Sequence, residues 1–493
     1  MDNPGQSTRR VAILGGGITG LSAAYTLALA RQGAFAVEEH LFEGGQRLGG
    51  SILTERIDGF VVEGGPDSFL SEKPEAAALC RELGLGDSLI GSNDAERRTY
   101  ILHHDRLVPL PDGLMLLVPT RIWPMLTTPL LPLASKLAVV GELLTSPPRD
   151  SDPRADEPVA SFVRRHFGDA MVANIADPLL AGVFGGDSDR LSVRSVLPRF
   201  LEMERKYGSL TRAALDLRRQ RRARATSSAA PSLFVTLQEG LGRMVEAITT
   251  HLERARLHLG ERVSSIECGA SAAPGTGPYS LHCEPGGVFQ ADAVILALPL
   301  YECARLLSPF DATLGEAFAA VPYSSGMTVS LGYDAPLSRQ LPPGFGFLVP
   351  RAAQRRLIAC TFVHQKFRHR APEGCALIRC FLGGVRDPEI LNLSDAEITN
   401  LVRTELESIL KLPGLKVTEP RFVRICRWPA SMPQYTLGHE ERVTTIRARL
   451  AKLSGVFFAG NAIAGIGLSD CIRTGRAAAE AALEFLGLAE RRA

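Results

Sequence analysis

The sequence predicts an α/β fold: a Rossmann-type dinucleotide-binding domain, a second α+β domain, and a helical subdomain suited to facing a membrane. Three observations lead there. Val11-Ala12-Ile13-Leu14 is a short apolar strand running into Gly15-Gly16-Gly17-Ile18-Thr19-Gly20, after which Ala23 to Arg31 continues a helical pattern. A second strand ends at Leu41-Phe42-Glu43, and Glu43 lies 23 residues past Gly20, about where a carboxylate must sit to accept ribose hydroxyls. At the other end, the apolar strand Val456-Phe457-Phe458-Ala459 stops at Gly460-Asn461. The turn Gly465-Ile466-Gly467-Leu468 and an Ala-rich helical run to Leu486 follow it.

The glycines have separate tasks. Gly15 permits the tight bend, Gly17 lets backbone amides approach a pyrophosphate, and Gly20 lets the helix pack closely on the strand with its N-terminus facing the anion. Directly after Glu43 comes Gly44-Gly45-Gln46-Arg47-Leu48-Gly49-Gly50, and its Arg-x-Gly-Gly element resembles the extended signature of two-domain FAD-dependent oxidases. That resemblance implies one noncovalent FAD per chain. It also implies that the Gly460 strand and the Gly465 turn come up beneath the isoalloxazine, where amides and the helix dipole at Ile466, Gly467 and Leu468 stabilise negative charge on the reduced ring. Gly16, Ile18, Thr19, Ser51, Gly65, Pro66, Asp67, Ser68, Val263 and Trp428 complete the cofactor contacts expected on the same basis.

Composition narrows the class. A chain of 493 residues exceeds one ordinary core, so two or three domains are expected. With 55 basic against 53 acidic residues, no global field for nucleic acid follows. Nine cysteines without a CxxC pair argue against a disulfide framework or a zinc knuckle, and no metal is expected. Arg9 and Arg10 precede only four apolar residues before the glycines, which reads as a first strand and not a signal peptide, so a cytoplasmic location is expected. The apolar stretch Leu114 to Leu144 is interrupted by prolines, Arg121 and Lys136. It is too broken to cross a bilayer, but it could lie on a membrane face with Trp123 at headgroup level, or simply cover a substrate tunnel.

The chain divides into residues 1–91, first part of the FAD domain; 92–214, helical; 215–300, FAD domain again; 301–439, substrate domain; and 440–493, the C-terminal part of the FAD domain. Arg212 to Ser232, rich in arginine and then serine and alanine, reads as a solvated loop. Strands are expected at Met327 to Tyr333, Phe345 to Val349 and Ala376 to Phe381, with a helix from Asp395 to Leu410.

Several blocks then carry a more specific resemblance. Arg98-Thr99-Tyr100-Ile101, Leu180-Ala181-Gly182-Val183-Phe184-Gly185-Gly186-Asp187, Gly344-Phe345-Gly346-Phe347-Leu348-Val349-Pro350, Phe381-Leu382-Gly383-Gly384 and Pro433-Gln434-Tyr435-Thr436-Leu437-Gly438-His439 are together similar to the protoporphyrinogen oxidase family, over nearly the whole chain. The family, which includes bacterial coproporphyrinogen III oxidases, removes six electrons from a porphyrinogen in three two-electron steps at flavin N5, with oxygen commonly reoxidising the flavin. The resemblance thus implies no acid-base residue of the chain in the chemical step, only a wide apolar slot and one or two fixed cations.

By resemblance Arg98 grips a propionate through a guanidinium fork, Leu348 and Phe381 sandwich the pyrrole rings with Thr361 nearby, and the Gly182 carbonyl faces a ring N–H. Arg97 could replace Arg98, and Leu348 and Phe381 could be ordinary core residues. Some relatives carry a basic residue where this chain has Asp67, so the second propionate clamp is unassigned. His439 reads as structural rather than a proton relay, and Cys471 as a buried thiol rather than a flavin tether. Protoporphyrinogen IX is the first substrate expectation and coproporphyrinogen III the alternative. A flavin amine oxidase or carotenoid desaturase, or a noncatalytic binding protein, remains less favoured. A homodimer, peripheral membrane contact and product hand-over to ferrochelatase are partners the resemblance leaves open.

Overall fold

The computed structural model of the chain describes residues 8–32, 36–115, 117–147, 155–224, 232–269 and 278–488. At its centre five parallel strands lie in the order Leu257–Leu259, Val37–Glu43, Arg9–Leu14, Ala293–Leu296, Val456–Phe458. The first and last segments of the chain therefore meet in one sheet. The strand Arg9–Leu14 is apolar without alternation because both of its faces are covered, as parallel sheets require. Val11 and Ile13 pack on one side with the helices Ile18–Gln32 and Leu468–Phe485, whereas Ala12 and Leu14 pack on the other with the antiparallel meander Arg262–Cys268, Tyr279–Glu284, Val288–Ala291. The two helices touch so closely that a Cβ on Gly475 would lie 2.2 Å from the Thr19 carbonyl oxygen.

A second sheet has seven strands in the order Phe422–Pro433, Tyr323–Tyr333, Ala376–Gly383, Leu357–Phe362, Gly346–Leu348, Thr99–His103, Arg106–Pro109. All neighbours pair antiparallel except Thr99–His103 with Gly346–Leu348. The helix Asp395–Leu410 covers one face, burying Ile398, Val402 and Leu406 against Val329, Leu331, Phe347 and Ile378. The opposite face carries Ile101 and Leu348 toward a helical layer whose own core includes Phe162, Phe167, Met171 and Ile175.

Two features differ from the expected organisation. Thr99–His103 and Arg106–Pro109 fall in the segment read as helical, yet they extend the second sheet. Tyr100 and Leu102 join the core under Asp395–Leu410 while Ile101 joins the helical core, the alternation of a strand buried on both faces. The stretch read as a loop from Arg212 begins instead inside a helix, Leu210–Arg224, and the expected boundary at 214 falls within it. Arginine, leucine, alanine and glutamine are good helix formers. Leu210, Ala213, Ala214 and Leu217 give the run an apolar stripe, and the buried Glu142 carboxylate accepts from Leu210 N and Thr211 N at the helix start. The remainder of that expected loop, residues 225–231, lies outside the described residues.

Among the described residues no helix is long and apolar enough to cross a membrane. The stretch Leu114 to Leu144 folds into two short strands and the helices Ile122–Thr127 and Leu133–Glu142.

Candidate functional site

Three loops converge at the C-terminal end of the parallel sheet. In the first, Gly15 (φ +109°) donates its N–H to the Phe42 carbonyl, and a Cβ there would meet the Ala297 carbonyl oxygen at 2.5 Å. A Cβ on Gly20 would lie 1.9 Å from the Gly15 carbonyl oxygen, so strand and helix are held at glycine distance. Gly17 differs: no heavy atom lies within 4 Å of its Cβ position. It faces open space at the N-terminus of Ile18–Gln32, where the amides of Ile18, Thr19 and Gly20 begin the helix without an intrahelical acceptor.

Glu43 closes this loop, accepting from Gly16 N through Oε2 and from Gly45 N through Oε1, each at 2.8 Å. Each oxygen keeps a lone pair for a ribose hydroxyl. The second loop is pinned by Arg47, which donates to the carbonyls of Gly50 and Ile52 at 2.5 and 3.0 Å. Gly49 N donates to the Gly16 carbonyl, and a Cβ on Gly50 would meet Gly17 Cα at 3.0 Å. Gly44 lies against Arg262, the neighbour of Val263, at the far end of the cradle.

The third loop is Gly64-Gly65-Pro66-Asp67-Ser68. A Cβ on Gly65 would lie 1.8 Å from the Ser51 carbonyl oxygen, which locks this loop to the second. The Gly64 carbonyl accepts from Trp428 Nε1 at 2.9 Å and from Thr328 Oγ1 at 2.7 Å. Asp67 does not face outward. Its carboxylate lies 3.0 Å from Lys366 Nζ and accepts from Ser68 Oγ at 2.6 Å. Burial opposes its ionisation, but Lys366 and Arg379 hold it well below the usual carboxylate range.

The C-terminal segment supplies the fourth wall. Tyr435 Oη donates to the Asn461 carbonyl at 2.5 Å and accepts from Gly465 N at 3.0 Å, clamping both ends of the turn that follows Gly460. Ile466, Gly467 and Leu468 then lead into the helix Leu468–Phe485, whose Asp470 accepts from Gly467 N and pairs with Lys73. His439 stacks on Tyr435 with ring centroids 4.2 Å apart. Burial and the nearby Arg442 push it down to about 4, a neutral ring suited to packing. Cys471 is buried, its thiol pushed up to about 11, which suits an inert side chain.

The second sheet presents its open face to these loops. Register places Thr328, Phe381, Ala359, Leu348 and Ile101 on one rung, and Ser330, Arg379, Thr361, Gly346 and Thr99 on the rung two residues along. Period-two alternation puts both rungs on the same face. Leu348 and Phe381 thus flank small Ala359 with about 10 Å between their strands, a trough with two apolar walls. Gly182, in the helix Asp177–Phe184, roofs it: a Cβ there would be 3.3 Å from Leu348 Cδ2.

Arg98 stands one residue before its strand, where its carbonyl accepts from Phe345 N. Its side chain is exposed at the rim of the sheet, and among the described residues no carboxylate pairs with it. The same holds for Arg97. Leu348, Thr361, Phe381 and Gly182 are therefore brought together, with Arg98 at the margin. Sequence reasoning missed Lys366 and Arg379. The second left a signal, an arginine inside the apolar run Ala376-Leu377-Ile378-Arg379-Cys380-Phe381.

A glycine cradle at the carboxyl ends of a parallel sheet, facing a separate, mostly antiparallel sheet with an apolar trough, defines a flavoprotein oxidoreductase. The flavin containing amine oxidoreductase model matches residues 18–483, and the chain belongs to that family. Its cofactor is FAD, and the cradle at Gly17, Glu43 and Gly65 fits that group. Within the family it is 34% identical over 480 residues to coproporphyrinogen III oxidase of Bacillus subtilis (strain 168), covering 97% of this chain and 98% of the relative. It is 27% identical to the chloroplastic protoporphyrinogen oxidase of Nicotiana tabacum, covering 97% and 86%. A crystal structure from Exiguobacterium sp. 255-15, provisionally described as a protoporphyrinogen oxidase, superposes with TM-score 0.83 at 33% identity, over 98% of this chain and 100% of that one. Reduced UDP-galactopyranose mutase, at TM-score 0.67 and 18% identity over 98% and 94% of the two chains, shares the fold.

Proposed function

We propose that the protein is a porphyrinogen oxidase of haem biosynthesis that takes coproporphyrinogen III to coproporphyrin III. The observation that carries the reading is the trough itself: Leu348 and Phe381 on one rung across Ala359, roofed by Gly182 and bordering the FAD loops, with exposed Arg98 one residue ahead of the strand that carries Ile101. A porphyrinogen is a broad apolar macrocycle with carboxylates at its rim, and this surface matches it with apolar walls inside and a cation outside. Bound FAD supplies a two-electron acceptor at N5 in each of three steps, and dioxygen is the final acceptor. The chain's own residues bind and orient: Leu348, Phe381 and Thr361 hold the ring system, Gly182 offers a carbonyl to a pyrrole N–H, and Arg98 takes a propionate. The choice of coproporphyrinogen rests on similarity, since relatives bearing that name in Bacillus, Propionibacterium and Staphylococcus are 30–34% identical. Protoporphyrinogen IX is the second reading, favoured by the plant relatives and by the description of the Exiguobacterium structure.

The protein acts in the cytoplasm and touches a membrane surface through the helical layer. Trp123 is 74% exposed, and Leu133, Leu137 and Leu144 are 72%, 63% and 83% exposed, beside Arg121 and Lys136. The deciding experiment is a parallel assay of both porphyrinogens by porphyrin fluorescence, with anaerobic bleaching of the flavin band. Higher kcat/KM on coproporphyrinogen III supports the assignment. Failure of both substrates to bleach the flavin overturns it.

A further inference from the structure

Beneath the cofactor loop Gly64–Ser68 lies a buried set of charges that does not balance. Glu63 and Asp67, at the two ends of the loop, face three cations: Arg370, Lys366 and Arg379. Arg370 is fully buried; its Nη1 lies 3.2 Å from Glu63 Oε1, and its Nη2 donates to Thr236 Oγ1 at 2.8 Å. Lys366, also buried, is paired with Asp67 at 3.0 Å and covered by the ring of Phe234. With each carboxylate matched to one cation, Arg379 is the cation left over.

Its surroundings sharpen the point. Arg379 is 3% exposed, and its guanidinium donates to the Gly65 carbonyl and lies 4.9 Å from the centroid of Phe381. Its Nε finds no acceptor among the described residues. Burial lowers its affinity for a proton, although Asp67 and Glu63 oppose that. An uncompensated charge out of water is costly to keep, and an anion brought by a bound group would compensate it. Arg379 touches the loop that walls the cofactor and stands on the rung next to Phe381, so it sits where the FAD site meets the trough.

We propose that Arg379, anchored on the Gly65 carbonyl beside the Asp67–Lys366 pair, stabilises the negative charge that FAD acquires on two-electron reduction, and so raises the reduction potential of the bound flavin. Arg379 is then a residue of the redox step for which the sequence offered no role. Low local dielectric strengthens the effect because no solvent screens the guanidinium. The inference requires bound FAD in this cradle but not a particular porphyrinogen, so it and the substrate assignment fail separately.

The test is the midpoint potential of the bound flavin in the holoenzyme, measured by spectroelectrochemistry for wild type, Arg379→Gln, Arg379→Lys and Lys366→Gln. Arg379→Gln should disfavour the reduced flavin at least tenfold, a fall of about 30 mV for a two-electron couple. Lys366→Gln should lower the potential in the same direction, and Arg379→Lys should keep it near wild type. Should Arg379→Gln fail to retain FAD, the Lys366→Gln and Arg379→Lys pair decides. An unchanged potential in Arg379→Gln, or in Lys366→Gln where that variant must decide, overturns the proposal, even if KM rises. Such a result would assign the charge to a substrate carboxylate instead.

Discussion

Leu348 Cδ2 lies 3.3 Å from the point a Cβ would occupy on Gly182, so the roof and one wall of the trough touch at a position with no side chain to spare. Gly182 sits within the helix Asp177–Phe184, where alanine is a better helix former by about 0.5–1 kcal/mol. Gly182→Ala should therefore fold at least as well as wild type and keep FAD, while raising KM for the porphyrinogen. Gly182→Val should block turnover. Thermal melting, flavin stoichiometry and steady-state kinetics on the same preparations check these expectations.

The cofactor loop allows a sharper contrast. Gly20→Ala drives a methyl into the Gly15 carbonyl oxygen at 1.9 Å, backbone against backbone, and should lower stability as well as flavin content. Gly17→Ala meets no protein atom within 4 Å, so it should fold normally and lose FAD affinity only. Equal melting temperatures of the apoproteins of wild type and Gly17→Ala, with weaker flavin retention in the variant, are the expected result. Unaltered FAD binding by Gly17→Ala would place the pyrophosphate elsewhere.

Arg98 is exposed and without an ionic partner among the described residues, so Arg98→Ala should change stability by no more than about 0.5 kcal/mol. Its cost should fall on substrate binding, as a higher KM with FAD in place. A guanidinium holds carboxylate through two parallel bonds, so Arg98→Lys should recover only part of the loss. An unchanged KM in Arg98→Ala would transfer the propionate role to Arg97 or remove it from this rim.

The nucleotide half of the molecule was legible because its signals are local: the glycines, Glu43 and the turn at Gly465 each impose a conformation on their own few residues. The trough was legible only through resemblance, since Leu348, Ala359 and Phe381 meet by strand register across dozens of residues. Register also hid the sheet role of Thr99–His103, whose short apolar run fits helix or strand until its partner is known. The arginines from Arg212 onward read as a solvated loop because their charge masked the stripe formed by Leu210, Ala213, Ala214 and Leu217. Lys366 and Asp67, 299 residues apart, could be joined only by the fold.

The exposed stripe on the helical layer has a direct test. Leu137→Glu and Leu144→Glu replace solvent-facing leucines and should leave melting temperature and detergent-free turnover unchanged. Sedimentation with vesicles containing anionic phospholipid should recover wild type and lose the double variant, with weaker recovery at high salt because Arg121 and Lys136 contribute electrostatically. Wild type remaining in the supernatant at all lipid concentrations would remove the membrane contact.

The helical layer should also respond to pH, through a histidine far from the flavin loops. His166 is buried with Nδ1 3.3 Å from Glu142 and Nε2 3.2 Å from Glu204, and Glu142 in turn starts the helix Leu210–Arg224. Burial disfavours the imidazolium, but the two carboxylates outweigh it and raise the histidine above its ordinary value. Arg165 and His166 together hold Glu204 down to about 2 despite its burial. A group whose folded-state pKa is raised stabilises the fold fully below its unfolded value near 6.5 and loses that contribution as pH climbs through the folded value. Wild-type melting temperature should accordingly fall between mildly acidic and alkaline pH, while His166→Gln should start lower and vary less over the same range. The two curves should converge at the alkaline end, where neither chain carries the imidazolium. Parallel curves with a constant gap would mean that His166 acts by packing alone.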